Sequence, residues 1–356
     1  MLEKLPMNIL HIFDNLYNGG AQRISIIGID NLTEHSHHVI YLANIVDIKD
    51  QIKVPCTYIP QQKGLGLLST IYKIRKYCIL HQIEVINCSV FNAIFIGRLV
   101  ALSIPRIKHI TTYQGTSYMS FLQKSKLYAM LDKLTQRKKF FYIAVSKAVA
   151  AHVHDKVNKN TAISIIYNCI HESYFEEQTR KKFVPQSCLK FIFIGNNFPE
   201  KKVSFLIEVF NQLNPTTHQL HIMGGGMDEF INNEDEAKNK NVFFYGMQKI
   251  NKALLMQYDI YIGAGIAEGC PLATIEAMTV GLPTCTANTL AYTEVTNNKG
   301  IYFNPYNVHD AVTNLENLYQ QQQPLEAMSI EHYEYSKNFS QAIFVDKMRM
   351  YYKSLI

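Results

Sequence analysis

Short runs of β-branched and aromatic residues alternate with helix-length amphipathic stretches along nearly the whole chain, and this alternation restricts the fold most. In the first half, the helical patterns include Leu67–His81 and Lys124–Arg137. The strand patterns of this half are Asn8–Phe13, Val39–Leu42, Glu84–Cys88, Ile107–Thr112 and Phe140–Ala144. Strands separated by helices pair in parallel, so the first half predicts a parallel sheet covered by helices.

The same alternation restarts after a polar, irregular segment, His171–Ser187. Its strand patterns are Leu189–Ile194, Gln219–Met223, Val242–Tyr245, Asp259–Ile262 and Pro283–Thr286. Two such series predict an α/β protein with two Rossmann-like parallel-sheet domains facing across a cleft, and ligands of such sheets bind outside the carboxyl ends of the strands. We place the domains at residues 1–167 and 168–338, with a C-terminal helix at 339–356 that packs back on the first domain.

The composition is typical of a globular protein. Of the 356 residues, 47% are hydrophobic and 18% are charged. The most apolar run, Val90–Pro105, is shorter than the roughly 20 residues of a membrane span and is interrupted by Arg98. The N-terminus has no signal-peptide pattern, and the seven cysteines form no CxxC pair. We therefore expect a cytoplasmic protein without a disulfide framework.

Charge is divided unevenly along the chain. Residues 1–165 contain 20 Lys and Arg against 9 Asp and Glu, a net charge of +11, whereas residues 166–356 have a net charge of −5. Such asymmetry suggests that the first half faces an anionic partner. From charge alone, nucleic acid, an anionic membrane surface and a phosphorylated acceptor all qualify, and so does an uneven charge with no partner.

The turn after the first strand is rich in glycine. The strand Asn8–Phe13 leads through NLYNGG (residues 15–20) into a helix that begins near Ala21. Gly19 and Gly20 allow backbone N–H groups to approach an anion, and a helix N-terminus adds the positive end of its dipole. The same glycines also suit a plain strand-to-helix turn. Phosphate binding and a plain turn both remain open from this local pattern.

A second turn of this kind follows the strand Asp259–Ile262, in the run EGCPLATIE (residues 268–276). Pro271 suits the first turn of a helix, so we expect Glu268 in the loop before that helix and Glu276 on it. The backbone N–H groups expected to be free for a phosphate are those of Leu272, Ala273 and Thr274. In the alternative, Glu268 only supports the helix N-terminus and Glu276 is solvated; the apolar neighbours of Glu276 argue against this alternative.

The spacing from Glu268 to Glu276 resembles the E-x7-E motif of family 4 glycosyltransferases, which are retaining enzymes of the GT-B fold. The similarity extends in one order along nearly the whole chain. Its other landmarks are Gly19–Arg23 (GGAQR), Glu84–Asn87 (EVIN), Ala144–Ser146 (AVS), Tyr167–Ile170 (YNCI), Phe193–Gly195, Glu200–Lys202, His221–Gly226 (HIMGGG), Phe244–Gly246 (FYG) and Gly281–Pro283. The shared order of these motifs makes the resemblance specific.

The resemblance implies a GT-B enzyme that uses a nucleotide-sugar donor, a UDP-sugar in preference to a GDP-sugar, with no metal requirement. Glu276 is implied to bind the ribose hydroxyls, Glu268 to contact the donor sugar, and Lys201 to offset the diphosphate charge. The other implied donor-binding residues are Gly19, Gly20, Asn196, Gly224, Met247, Cys270, Leu272 and Ala273. Glu268 and Lys201 are then the catalytic residues of a front-face displacement that depends on positioning and on positive charge at the leaving group.

Four positions depart from the family pattern. Asn196 stands where the family usually has an arginine, which removes one positive charge from the expected phosphate clamp and leaves more to Lys201 and Lys202. Gln114, on the acceptor side, replaces a histidine and can bind a sugar hydroxyl but cannot titrate. Cys169 replaces a glycine and His171 replaces the usual aspartate; for both we expect only structural consequences.

Basic and apolar residues are interleaved between Lys124 and Phe141. The basic ones are Lys124, Lys126, Lys133, Arg137, Lys138 and Lys139. A basic amphipathic helix suits an anionic membrane surface, although a surface helix that packs on its own domain gives the same pattern. Together with the resemblance, this predicts a glycan or lipid-linked glycan acceptor, peripheral contact with the inner face of the cell membrane, and no binding of nucleic acid.

Two other functions fit parts of the sequence. One is a GT-B nucleotide-sugar 2-epimerase, which needs acid and base groups around the donor sugar; Gln114 counts against it. The other is a catalytically weak partner subunit that binds a glycan or a nucleotide, which Asn196 and Gln114 suggest. Our main prediction is a glycosyltransferase of polysaccharide, lipopolysaccharide, capsule or related glycoconjugate synthesis.

Overall fold

The chain forms two compact units. The computed structural model describes residues 6–17, 19–62, 64, 66–89, 91–115, 130, 134–137, 139–156, 162–176, 180–227, 230 and 240–355. The first unit comprises Met1–Cys169 together with Gln341–Ile356, and the second comprises Ile170–Ser340.

The first unit is built on a parallel sheet of seven strands in the order β3-β2-β1-β4-β5-β6-β7. Its strands are β1 (Asn8–Phe13), β2 (Ser36–Tyr41), β3 (Cys56–Tyr58), β4 (Val85–Cys88), β5 (Lys108–Tyr113), β6 (Phe141–Ala144) and β7 (Ser164–Ile165). The central strands are buried on both faces, as parallel sheets require. Strand order reverses between β1 and β4, so the turns that follow these two strands lie at a topological switch point.

Helices connect the strands of the first unit. They span Gly20–Asn31, Gly66–Leu80, Phe91–Ser103, Lys147–Lys156 and Gln341–Ser354, with a short 3₁₀ turn at Lys49–Gln51. The C-terminal helix belongs to this unit because it packs on Gly20–Asn31. Gln341 donates to the Asn31 side chain at 3.2 Å, and Arg349 pairs with Glu34 at 2.7 Å.

The second unit has a six-stranded parallel sheet in the order β10-β9-β8-β11-β12-β13. Its strands are β8 (Leu189–Ile194), β9 (His218–Met223), β10 (Val242–Phe244), β11 (Ile260–Gly263), β12 (Thr284–Ala287) and β13 (Ile301–Phe303). Its helices span Val203–Asn211, Lys252–Leu255, Leu272–Thr279, Leu290–Val295, Val308–Gln320 and Pro324–Ser336, with 3₁₀ turns at Glu172–Tyr174, Pro199–Lys201 and Lys337–Phe339. Here the strand order reverses between β8 and β11, which marks the second switch point.

The predicted α/β fold of two Rossmann-like sheets is confirmed. Every predicted strand is present, with bounds that differ by at most three residues, and the predicted helix Leu67–His81 spans Gly66–Leu80. The predicted helix Lys124–Arg137 lies mostly outside the described residues. The strands missed by the sequence patterns are β3, β7 and β13, all of two or three residues and too short to show a period. Across the described residues, helices long and apolar enough to cross a membrane are absent.

Candidate functional site

The turns after β8 and β9 are joined through their backbones. The Gly195 N–H donates to the Met223 carbonyl at 2.9 Å, and the Asn196 side-chain oxygen accepts from the Gly225 N–H at 2.9 Å. Gly224 has a φ of +153°, and a Cβ there would lie 1.9 Å from the Gly195 carbonyl oxygen. Position 224 therefore requires glycine. Asn196, predicted to bind the donor, also has the local task of holding this glycine turn.

Met247, predicted to lie at the nucleotide base, stands beside the same turn. The Gly224 N–H donates to the Gly246 carbonyl at 2.8 Å, and Gly246 takes a left-handed φ of +63°. Met247 follows it with 69% of its side chain exposed. Its sulfur lies 3.3 Å from the point where a Cβ of Gly225 would stand. The structure thus brings Gly224 and Met247 together at the open end of β9 and β10.

Lys201 and Glu268 form an ion pair across the second switch point. Lys201 ends the 3₁₀ turn after β8, and Glu268 lies in the loop after β11. The Lys201 Nζ lies 2.6 Å from the Glu268 Oε1, with side chains 29% and 13% exposed. A backbone hydrogen bond from the Ile266 N–H to the Glu200 carbonyl, 2.9 Å long, ties the two loops together. The two residues predicted to be catalytic are therefore direct partners.

Two glycines make room for Glu268 and for a tyrosine behind it. A Cβ at Gly265 would lie 2.5 Å from the Glu268 Oε1, and a Cβ at Gly263 would lie 2.7 Å from the Tyr292 hydroxyl. The Gly265 N–H donates to that hydroxyl at 3.3 Å. Burial raises the pKa of Tyr292 well above its usual value, and the nearby Glu268 carboxylate adds to the rise. Tyr292 was missed from the sequence because it carries no motif.

The helix Leu272–Thr279 begins directly after this loop. Pro271 is its N-cap, Cys270 before it is buried, and Glu276 is half-buried on the helix. The N–H of Thr274 donates to the Pro271 carbonyl at 3.1 Å, so our expectation that this group is free was wrong; proline as N-cap leaves its carbonyl to close a tight first turn. Within the described part of the chain, the N–H groups of Leu272 and Ala273 have no acceptor.

The two glutamates lie near one buried tyrosine of β11. Burial is the main cause that raises the pKa of Tyr261, and the negative charges of Glu268 and Glu276 add to it. Lys202, by contrast, adopts a left-handed φ of +57° and places its Nζ 4.4 Å from the centre of the Tyr306 ring. Glu268 thus pairs with Lys201 and has the neighbour Tyr261 in common with Glu276, whereas the Lys202 ammonium stacks on an aromatic ring.

In the first unit, Gly19 and Gly20 start a helix at the switch point between β1 and β4. Gly19 is the N-cap and accepts from the Arg23 N–H at 3.1 Å. A Cβ at Gly19 would lie 2.8 Å from the Gln22 side-chain oxygen. The Gln22 amide in turn reaches the Asn15 side-chain oxygen at 3.4 Å. Gly20 is exposed at the first position of the helix.

Gln114 lines a cavity of about 40 Å³ in the same unit. Its side-chain oxygen accepts from the Asn168 amide at 3.0 Å. Beside it, the Thr112 hydroxyl donates to Asn87 at 3.3 Å, and the Asn87 amide donates to the Tyr352 hydroxyl at 3.1 Å. A cavity of this size is large enough for ordered water among such polar groups. The hydrogen-bond partner of Gln114 is thus a neutral amide, and the cavity wall also contains apolar residues such as Val145 and Phe344.

Comparison with known protein families assigns both parts of the chain to glycosyltransferase families. Residues 18–174 match the family model described as Glycosyltransferase Family 4, and residues 175–335 match the one described as Glycosyl transferases group 1. The chain belongs to the family 4, group 1 glycosyltransferases. The two matches are contiguous, so this family covers the chain apart from its two ends.

Solved structures show that this glycosyltransferase has the GT-B fold. HepE from Anabaena, in complex with UDP and glucose, is similar with a TM-score of 0.80 and 16% identity over 98% of this chain and all of that one. Sucrose-phosphate synthase from Thermosynechococcus elongatus is similar with a TM-score of 0.78 and 13% identity, over 98% and 99% of the two chains. WaaG, a glycosyltransferase involved in lipopolysaccharide biosynthesis, has a TM-score of 0.70 and 16% identity, over 96% and 98%. Sequence comparison with curated proteins finds no match.

The predicted site residues of the glycosyltransferase fall into two groups. One group surrounds the switch point of the second unit and consists of Asn196, Lys201, Gly224, Met247, Glu268, Cys270, Leu272, Ala273 and Glu276. The other group lies in the first unit and consists of Gly19, Gly20 and Gln114. In the described ranges, three or more His, Cys, Asp or Glu side chains nowhere cluster in a way that suits a metal ion.

Proposed function

We propose that this glycosyltransferase moves a sugar from a nucleotide-diphosphate donor, a UDP-sugar in preference to a GDP-sugar, to a glycan or lipid-linked glycan, with retention of anomeric configuration. The observation that carries the proposal is the Lys201–Glu268 pair at 2.6 Å, placed at the switch point between β8 and β11. Ligands of open parallel sheets bind at such a point. UDP and glucose in the similar HepE structure support the choice of donor.

The donor site is proposed to use charge for the phosphates and hydrogen bonds for the nucleoside. The N–H groups of Leu272 and Ala273 point from a helix N-terminus, which favours an anion. The Lys201 ammonium, paired with Glu268 at 2.6 Å, is proposed to turn its positive charge to the diphosphate when the donor binds. Glu276, one turn farther along the helix, is proposed to bind the ribose hydroxyls, and the backbone near Gly224 and Met247 is proposed to hold the base.

A front-face displacement, in which the acceptor attacks the side from which the diphosphate leaves, fits this arrangement of charged and hydrogen-bonding groups. The bond between the sugar and the diphosphate breaks as the acceptor hydroxyl attacks the same face, so negative charge grows on the leaving phosphate. A preorganised cation and N–H groups stabilise that charge in the transition state more than in the ground state. Glu268 is then proposed to contact the sugar hydroxyls, which requires it to share or exchange its bond to Lys201.

Membrane recruitment is the last part of the proposal. Of the basic segment between Lys124 and Phe141, the described residues include Arg137 and Lys139, whereas Lys124, Lys126, Lys133 and Lys138 lie outside the described residues. Met130 and Leu134, four positions apart in the sequence, are 52% and 57% exposed. Exposed apolar and basic side chains side by side support contact with the inner face of an anionic membrane, where polysaccharide, lipopolysaccharide or capsule precursors are anchored.

A thermal-shift screen of UDP-, GDP- and ADP-sugars, followed by product analysis, tests this function. A bound donor must raise the stability of the folded state. Transfer or slow donor hydrolysis that releases the retained anomer supports the proposal. Release of an isomerised donor identifies an epimerase, and binding without turnover identifies a partner subunit. Added EDTA is expected to leave the rate unchanged, and a rate that requires Mg²⁺ or Mn²⁺ contradicts the role given to Lys201.

A further inference from the structure

The helix Gly66–Leu80 in the first unit is amphipathic in an unusual way. Its inner side is buried through Thr70, Ile74 and Cys78, which are at most 1% exposed. The opposite side carries apolar residues where a surface helix normally has polar ones. These are Leu68, Tyr72, Ile79 and Leu80, which are 66%, 63%, 45% and 72% exposed. At about 3.6 residues per turn, they share one outward face of the helix.

Basic side chains stand among these apolar residues. Lys73 and Lys76 are exposed and Arg75 is half-buried, and the helix contains no acidic residue. None of the three forms an ion pair with another residue that the structure describes. The helix also lies in the part of the chain with a net charge of +11, residues 1–165. The outward face therefore combines exposed apolar area with uncompensated positive charge.

We propose that this face lies on an anionic lipid surface, with the helix parallel to the membrane plane. Leu68, Tyr72 and Ile79 would enter the region between headgroups and acyl chains, where an aromatic ring with a hydroxyl is well suited. The lysines would extend their apolar stems along that boundary and keep their ammonium groups at the lipid phosphates. With 15 residues, the helix is shorter than the roughly 20 of a membrane span, so it lies on the bilayer rather than across it.

The positive charge of this face also favours an anionic lipid surface over a second copy of the chain as its partner. Two copies that met through this face would bring Lys73, Arg75 and Lys76 against their counterparts, and like charges across an interface are unfavourable. The inference rests on the membrane recruitment within the proposed function. It assigns that recruitment to a helix that the sequence did not single out, in addition to the segment from Lys124 to Phe141.

Co-sedimentation with phosphatidylcholine vesicles, with and without phosphatidylglycerol, tests the assignment. The parent protein is expected to bind only the vesicles with phosphatidylglycerol, and less as salt shortens the Debye length to about 8 Å at physiological ionic strength. The variant Lys73→Gln/Arg75→Gln/Lys76→Gln should bind on the order of 100-fold more weakly. The variant Leu68→Gln/Ile79→Gln should also bind less, and its loss should persist at every salt concentration at which the parent still binds.

A matched control removes the same charge elsewhere in the unit. Lys49→Gln/Lys53→Gln/Arg106→Gln changes three cations outside the helix and should retain more binding than the helix variant. Equal binding by both triple variants overturns the assignment, as does a change of oligomeric state in the Leu68→Gln/Ile79→Gln variant. If the parent protein binds vesicles with and without phosphatidylglycerol equally, the proposal of membrane recruitment itself is wrong. Donor-induced thermal shifts, measured in the same variants, remain an independent readout of the transferase proposal.

Discussion

The two units share one architecture but place different chemistry at the carboxyl ends of their strands. In the second unit, the switch point holds a charged pair, Lys201 and Glu268, and a turn in which Gly224 allows backbone contact. In the first unit, Gln114 and Asn168 form a hydrogen bond between two neutral amides at a small cavity. The sheets set where ligands bind, whereas the loops set what is bound.

This difference suggests a division of work. Charge beside a helix N-terminus suits a phosphorylated leaving group, and neutral donors and acceptors suit the hydroxyls of a sugar. The outer surface differs as well, because the first unit exposes the basic, apolar face of Gly66–Leu80.

The largest effect is expected for Lys201→Ala. Loss of a charge that stabilises the leaving group typically slows catalysis by roughly 10²–10³-fold. The substitution also leaves the Glu268 carboxylate, whose side chain is 13% exposed, without its 2.6 Å partner. The turnover number with the donor selected by thermal shift is the measurement.

The neighbouring lysine provides a matched control for that experiment. Lys202 carries the same charge one residue later, but its ammonium stacks on the Tyr306 ring at 4.4 Å. Lys202→Ala should therefore lower turnover far less than Lys201→Ala. Equal losses in the two variants would mean that net charge near β8 matters and the position of the ammonium does not.

Acid is expected to weaken the fold through buried neutral histidines in both units. Burial lowers the pKa of His11 and His37 in the first unit, and lowers the pKa of His332 in the second to about 4. In the unfolded chain these groups take up protons near pH 6.5, so stability is kept above that pH and lost as the pH falls from about 6.5 to 4. For His332, which is 1% exposed, the loss amounts to at most about 3 kcal/mol.

His332→Gln tests this pH dependence. Glutamine does not titrate, and its amide can replace the hydrogen bond between the imidazole Nδ1 and the Leu282 carbonyl, 3.3 Å long. Urea unfolding at pH 7 and at pH 4.5 should show a smaller difference in the variant than in the parent. The exposed His309→Gln is the control in the same unit. An unchanged difference in His332→Gln would place the acid sensitivity elsewhere, for example in His11 and His37.

The two glutamates of the second unit should be separable by what each variant loses. Glu276→Ala should weaken UDP binding by roughly 10–100-fold, the usual worth of hydrogen bonds to a charged group. Glu268→Gln should keep UDP affinity and lower turnover, because the amide still accepts a hydrogen bond but no longer carries the charge that pairs with Lys201. Calorimetric titration with UDP, alongside rates, measures both. Similar losses of UDP affinity in the two variants would contradict the separate roles given to Glu276 and Glu268.

How much of this was readable from the sequence depends on distance along the chain. Apart from the short strands β3, β7 and β13, the strands of the two sheets follow local hydrophobic periods and lie where the patterns place them, as does the helix after Pro271. The Lys201–Glu268 pair joins residues 67 positions apart, and the pairing of β8 with β11 sets their distance. No local pattern contains that information. Family resemblance supplied the two residues, and only the structure showed that they are partners.

Asn196 shows a second limit of sequence reading. Compared with the family pattern, it is a lost positive charge, which led us to expect a weaker phosphate clamp. In the structure its side chain accepts from the Gly225 N–H at 2.9 Å and braces the turn that Gly224 makes possible. The asparagine that looked like a lost charge thus stabilises the turn. The sequence did not show this, because residue spacing does not reveal a hydrogen bond between a side chain and a distant backbone group.

The smallest expected effect belongs to Tyr292, the residue behind Glu268. Its hydroxyl lies in a space that Gly263 leaves open and accepts from the Gly265 N–H. Burial raises the pKa of Tyr292, and the Glu268 carboxylate beside it adds to the rise. We predict that Tyr292→Phe loosens the Glu268 carboxylate and lowers turnover by about 10-fold, the low end for one hydrogen bond to a charged group. UDP affinity should not change, because Glu276 and the turn at Gly224 are untouched.

Tyr174→Phe is the control, since it removes another buried hydroxyl of this unit, one that donates to the Ile250 carbonyl at 3.1 Å. In a Glu268→Gln background the Tyr292 effect should nearly vanish, because a residue that acts through Glu268 has nothing left to position. If Tyr292→Phe instead lowers turnover equally in both backgrounds, the tyrosine only stabilises the fold.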